Sequence, residues 1–147
     1  MCRLLVESAQ GLSVCALELE RDGPSYTVDT LQAITATHPQ TDLTFIAGAD
    51  IASTLPAWRE PARVLELAQL AVAARPGTDR GAVLEAAASL GASARVRFLE
   101  MPLLEVSSSL VRERLARGEP VEELVGAAVA GYLSEHGLYG ARARAVS

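Results

Sequence analysis

Apolar residues recur along the chain in two rhythms. Val28, Leu31, Ala33 and Ile34 lie at helical spacing ahead of His38-Pro39, which predicts a helix from Ser25 or Tyr26 to about Thr37. Leu43 to Ala47, Leu70 to Ala74 and Val96 to Leu99 are short apolar runs that read as buried strands of a parallel sheet. Between them, Pro61 to Gln69 turns Val64, Leu65, Leu67 and Ala68 inward. Asp79 is placed to cap an alanine-rich helix from Arg80 to Leu90, with Gly91 past its end. Ile51 to Leu55 predicts one helical turn, stopped by Pro56. The alternation over Leu12 to Glu20 predicts a further strand, and Cys2 to Ala9 reads as the tail of a helix. Beyond Ser107-Ser108-Ser109 a helix is expected to about Ala116, closed by Gly118. Pro120 to Val125 and Ala127 to Glu135 read as two more, the last ending at His136-Gly137.

Strand and helix alternate, which predicts an α/β fold with a parallel sheet. Such sheets bind ligands beyond the carboxyl ends of their strands. The corners to inspect are therefore Gly48-Ala49-Asp50, Arg75-Pro76-Gly77 and Val106-Ser107-Ser108-Ser109. The chain has 147 residues, suited to one domain or most of one, with 50% hydrophobic and 21% charged residues, a composition that fills a core. Its net charge of −5 argues against a general grip on nucleic acid, and no apolar run approaches membrane-helix length. All 13 basic residues are arginines, so chemistry that needs a lysine is excluded. Cys2 and Cys15, with only His38 and His136 for company, show no metal-ligand spacing and read as buried or half-buried thiols of a cytoplasmic protein. The two histidines fall at helix ends, where a cap role is expected.

Each corner has two readings. Gly48 can admit a ligand to the backbone and Asp50 can accept ribose hydroxyls, or Gly48 relieves a turn and Asp50 caps the next helix. Trp58, the single tryptophan, sits in the proline-bounded stretch Leu55-Pro56-Ala57-Trp58-Arg59-Glu60-Pro61 and is either a stacking platform for a flat ring or a plug for a small core. Pro24-Ser25-Tyr26-Thr27 delivers a hydroxyl and an aromatic to a helix N-terminus, or simply caps it through Ser25. Ser107-Ser108-Ser109 with Arg112 one turn on forms a lysine-free phosphate cradle, or an N-cap with a solvated arginine. Arg75 follows a strand end and can reach an anion there.

Taken in order, these blocks resemble one family. Leu17-Glu18-Leu19-Glu20-Arg21-Asp22-Gly23-Pro24-Ser25-Tyr26-Thr27-Val28-Asp29-Thr30-Leu31 is similar to the substrate segment of bacterial nicotinate-nucleotide adenylyltransferase. Phe45-Ile46-Ala47-Gly48-Ala49-Asp50, then Leu55-Pro56-Ala57-Trp58, resembles its next block. Val106-Ser107-Ser108-Ser109-Leu110-Val111-Arg112 resembles the signature I-S-S-T-x-I-R, and Val129 to Tyr139 resembles the family's carboxyl end. The match runs from about Val14 to Tyr139.

The resemblance implies a Rossmann-like nucleotidyltransferase fold. It also implies the reaction of ATP with nicotinate mononucleotide to give deamido-NAD and pyrophosphate, with Mg²⁺. Carried over by position, Trp58 stacks on the pyridine ring, and Tyr26, Thr27, Asp50 and Arg75 serve the substrate side. Gly48, Asp50, Ser107, Ser108 and Arg112 serve the ATP side. The family's G-x-F-x-P-x-H-x-G-H block has no counterpart here, so catalytic residues are unassigned. Residues 1–139 are expected to form an N-terminally truncated nucleotidyltransferase domain, with 140–147 a frayed tail. Truncation would bare a sheet edge and invite self-association. A non-catalytic nucleotide-binding or assembly module that keeps the pocket is the competing expectation.

Overall fold

The computed structural model describes residues 1–102 and 106–141. In chain order the elements are α1 (Cys2–Val6), α2 (Thr27–Thr37), β1 (Leu43–Gly48), α3 (Ala49–Ala52), α4 (Pro61–Leu67), β2 (Ala68–Ala74), α5 (Arg80–Ala88), β3 (Val96–Glu100), α6 (Ser108–Arg117), α7 (Glu122–Val125) and α8 (Ala127–Glu135). Short 3₁₀ turns lie at Leu55–Ala57, Ser93–Arg95 and Leu138–Gly140. The described residues fall into two compact units, one from 16–102 and one from 1–15 with 106–141.

The first unit holds the sheet. Its strands run parallel in the order β1-β2-β3, with Phe45 opposite Leu70 and Leu70 opposite Val96. The central strand, Ala-Gln-Leu-Ala-Val-Ala-Ala, is buried at Ala68, Leu70, Ala71, Val72 and Ala74. This is why it reads as a continuous apolar run rather than an alternation. Leu55, Leu65, Leu70, Val72 and Val83 form one core cluster, and Val28, Leu31, Val64 and Ala68 form a second. The second unit is helical. Val111, Leu115, Val121, Val129, Ala130 and Leu133 make its core, with Leu4 packed against them.

Helix signals read from sequence hold where a local cap enforces them. The Asp79 carboxylate accepts from the Ala82 N–H at 3.1 Å, and Gly118 closes α6 in the left-handed conformation, φ +72°. His38 and His136 are the C-terminal caps of α2 and α8.

Four expectations are corrected. Leu12 to Glu20 is not a strand: no described strand lies beside it, and Leu12 and Leu19 are 63% and 89% exposed. Alternation alone cannot supply a partner for backbone hydrogen bonds. Cys2 and Cys15 are exposed rather than buried, because the segments carrying them lie on the surface. Ser25 does not cap α2; its hydroxyl turns back to the Glu18 carbonyl at 3.4 Å, and Tyr26 holds the cap position. The helical turn expected at Ile51 to Leu55 starts earlier, at Ala49, and Pro56 sits inside the following 3₁₀ turn, where a missing N–H costs nothing. Leu103, Leu104 and Glu105, expected to lead into the serine run, and residues 142–147 of the expected tail lie outside the described residues.

Candidate functional site

The carboxyl edge of the sheet carries two of the expected corners. Gly48 ends β1 and is the N-cap of α3, with φ −69° and ψ 155°. Any residue adopts that conformation, so turn relief does not explain a glycine here. A Cβ built on Gly48 meets nothing within 4 Å. Neither strain nor crowding inside the protein calls for glycine at this position.

Asp50 lies in the first turn of α3 and is exposed; it is not the cap. Its carbonyl accepts from the Ser53 hydroxyl at 3.0 Å, and its carboxylate has no hydrogen bond or ion pair among the described residues. Arg75 follows β2 on the same edge. Its backbone N–H donates to Thr78 Oγ1 at 2.8 Å, and its side chain is exposed.

Trp58 caps the Leu55–Ala57 turn and packs into the local core, as one of its two readings expects. Its ring meets Phe45 edge-on, with centroids 5.7 Å apart at 86°, and it packs against both sheet-side clusters. Its indole N–H donates to Thr54 Oγ1 at 3.1 Å. The ring is only half-buried. An edge-on neighbour and a bonded N–H fix the indole plane, as a stacking surface requires.

Tyr26 sits at the N-terminus of α2, 37% exposed, and Thr27 is the first residue of that helix. The segment before them is tied down by polar side chains: Thr30 Oγ1 donates to Glu18 at 2.7 Å and accepts from Arg21 at 3.3 Å. The guanidinium of Arg59 lies over the Tyr26 ring, 4.6 Å from its centroid. The sequence reading assigned no role to Arg59. Its position beside Trp58, between two prolines, was the available signal.

In the helical unit, Ser107 is the N-cap of α6 and accepts from the Leu110 N–H at 3.1 Å. Arg112 folds back along the helix: Nε donates to the Ser108 carbonyl at 3.1 Å and Nη2 to Ser108 Oγ at 3.3 Å. The cap reading of Ser107 is therefore realised, yet each serine keeps its hydroxyl proton and Arg112 keeps three N–H groups for another acceptor. A separate hollow of about 460 Å³, lined by Leu115, Arg117, Pro120, Val121 and Ala130 among others, includes none of these residues. At its rim Arg117 donates to Glu119 at 2.7 Å, which holds the Glu119 carboxyl below its ordinary range and the guanidinium above its own.

Among the described residues no group of three metal-ligating side chains occurs, and no helix is long and apolar enough to cross a membrane. A magnesium ion carried on ATP phosphates keeps most of its waters and needs no such protein cage.

No protein-family model matches the chain. Curated relatives do. A probable nicotinate-nucleotide adenylyltransferase of Dehalococcoides mccartyi is 40% identical over 95% of this chain and 69% of its own length. Those of Geobacillus thermodenitrificans and Symbiobacterium thermophilum are each 38% identical, over 97% and 95% of this chain and 61% and 68% of their own. The chain thus spans roughly three-fifths to two-thirds of these relatives. Among solved structures, Plasmodium falciparum nicotinic acid mononucleotide adenylyltransferase complexed with APC aligns with a TM-score of 0.61 at 17% identity, covering 80% of this chain and 60% of that one. The same enzyme complexed with NaAD aligns at 0.60. The fold is accordingly the Rossmann-like α/β fold of the nucleotidyltransferases, and the chain belongs to the nicotinate-nucleotide adenylyltransferase family.

Proposed function

We propose that this chain carries the substrate-holding part of an enzyme that transfers the adenylyl group of ATP to nicotinate mononucleotide. The observation that carries the reading is the 40% identity over 95% of the chain to a probable nicotinate-nucleotide adenylyltransferase. In the reaction a phosphate oxygen of the mononucleotide attacks the α-phosphorus of ATP, the bond to the β-phosphate oxygen breaks, and pyrophosphate leaves with deamido-NAD as the other product. Such a displacement depends on positioning and charge neutralisation rather than on a covalent nucleophile.

The residues divide by chemistry. Trp58 offers a fixed indole face to the pyridine ring, with Tyr26 and Thr27 at its nicotinate end. Gly48 admits the nucleotide to the strand end, Asp50 accepts ribose hydroxyls, and Arg75 serves an anion on the same sheet edge. Ser107, Ser108 and Arg112 donate to phosphate oxygens of ATP. Mg²⁺ arrives with ATP and offsets phosphate charge. The cytoplasm, where both nucleotides are found, is the expected compartment. Self-association through β1 belongs to the same reading, since β1 is an edge strand that pairs only with β2 among the described residues; sedimentation velocity gives its oligomeric state.

A second reading has a specific observation behind it: the 147 residues contain no G-x-F-x-P-x-H-x-G-H block. A chain that keeps the pocket without that block binds nucleotide and catalyses nothing by itself. One experiment addresses both. The chain is titrated with nicotinate mononucleotide by calorimetry and assayed for deamido-NAD beside the full-length D. mccartyi relative. Turnover supports the enzyme reading, binding alone supports the module, and absence of binding overturns both.

A further inference from the structure

We infer that Glu18, Arg21 and Thr30 form a polar brace that positions Tyr26 and Thr27 for nicotinate mononucleotide. This rests on the pocket reading above, to which it adds the residues that hold one wall of the site.

The chain ahead of α2 has few other anchors. Residues 16–26 contain no helix or strand. Leu19 is exposed, and Ala16 and Leu17 are only half-buried, so apolar burial fixes this stretch weakly. α2 itself is pinned to the core by Val28 and Leu31. Tyr26 and Thr27 stand at the junction between pinned helix and irregular chain, and no side chain caps the helix there. A helix end of this kind frays unless other bonds hold it.

Thr30 is the node of the brace. Its backbone N–H donates to the Tyr26 carbonyl at 3.2 Å. Its hydroxyl donates to the Glu18 carboxylate at 2.7 Å and accepts from Arg21 Nη1 at 3.3 Å. One residue thus holds Tyr26 through the main chain and the preceding loop through its side chain. Glu18 grips the loop a second time, for its carbonyl accepts from the Ser25 hydroxyl at 3.4 Å. Thr30 lies three residues past Thr27 and four past Tyr26, one helical turn along the same side.

The chemistry calls for a hydroxyl at this node. A carboxylate only accepts and a guanidinium only donates, so a single group that serves both must do each, as threonine does and its isostere valine does not. Bonds to charged partners are stronger than those between neutral groups. Their action on the ligand is indirect. Glu18, Arg21 and Thr30 are positioning residues that restrict Tyr26 and Thr27 before binding, so less conformational freedom is lost when the mononucleotide arrives.

The test is calorimetric titration of the whole chain with nicotinate mononucleotide and, separately, with ATP, whose proposed contacts lie elsewhere in the chain. Thr30→Val should weaken the mononucleotide by about tenfold, the order expected when a charge-assisted hydrogen bond is lost. ATP should stay within about twofold, as for a site that shares no partner with the brace. Thr30→Ser, which restores the hydroxyl, should recover the affinity. Glu18→Ala should weaken the mononucleotide to the same degree, and the double variant should be no weaker than either single one, as members of one network behave. Parent affinity in Thr30→Val overturns the proposal and leaves the pocket reading standing. Equal weakening of both ligands overturns it, because that marks a general loss of structure, and so do fully additive losses in the double variant. If Thr30→Val does not fold, Glu18→Ala, at an exposed position, decides by the same two ligands. An unsubstituted chain that does not bind the mononucleotide removes the pocket reading, and the brace with it.

Discussion

Gly48→Ala separates a structural glycine from a ligand-facing one by the sign of two measurements. The backbone at Gly48 has φ −69° and ψ 155°, and an added Cβ meets nothing within 4 Å. Alanine therefore fits without strain, and it narrows the unfolded ensemble. The expected gain is about 0.4–1 kcal/mol, a rise in Tm of up to ~4 °C for a chain of this size. Ligand binding should move the other way. A methyl group placed where a nucleotide lies against the backbone acts as overpacking, which costs roughly 1–3 kcal/mol; that is a loss of about 5- to 140-fold in affinity. Thermal unfolding followed by far-UV dichroism reads the first quantity, and calorimetry with nicotinate mononucleotide and with ATP reads the second. Gly48→Val should deepen the binding loss with little further change in Tm. An unchanged affinity for both nucleotides in Gly48→Val would show that no ligand touches this strand end. A fall in Tm of several degrees would show that the glycine is needed by the fold.

Other outcomes follow from the same geometry. Trp58→Ala should weaken nicotinate mononucleotide by ~1–3 kcal/mol, by analogy with bases stacked on aromatics. Trp58→Phe, which keeps a ring beside Phe45, should retain most of the affinity; if the two variants bind equally well, Trp58 is only a core residue. Ser107→Ala removes the cap bond to the Leu110 N–H and should lower stability by ~1 kcal/mol in urea melts. Ser108→Ala should leave stability nearly unchanged while weakening ATP, and equal melts for the two variants would contradict the cap. Leu70→Ala empties a site 1% exposed on the central strand and should cost ~2–5 kcal/mol; a midpoint within error of the parent would mean that the sheet is not the core.

The chain order of helices and strands was legible because each was announced by interactions among near neighbours. Asp79 and Ser107 reach N–H groups three residues on, Gly118 turns the chain where a side chain would be strained, and Leu70 to Ala74 is an unbroken apolar run on the largely buried central strand. The family was legible for a different reason: four blocks in fixed order are rarely matched by chance. What local pattern could not supply was a partner. Leu12 to Glu20 alternates as a strand does, but pairing needs an edge contributed from elsewhere, and none lies beside it among the described residues. The exposure of Cys2 and Cys15, the turning of Ser25 toward Glu18, the Arg112–Ser108 contact and the approach of Arg59 to Tyr26 depend likewise on where folding places a side chain. Residues 26 and 59 are separated by 33 positions and meet only because α2 packs on α4, behind the loop that carries Trp58. Short-range hydrogen bonds can be read from sequence because the chain itself fixes the distance; contacts across such a gap exist only once burial of apolar surface has closed the loop between them.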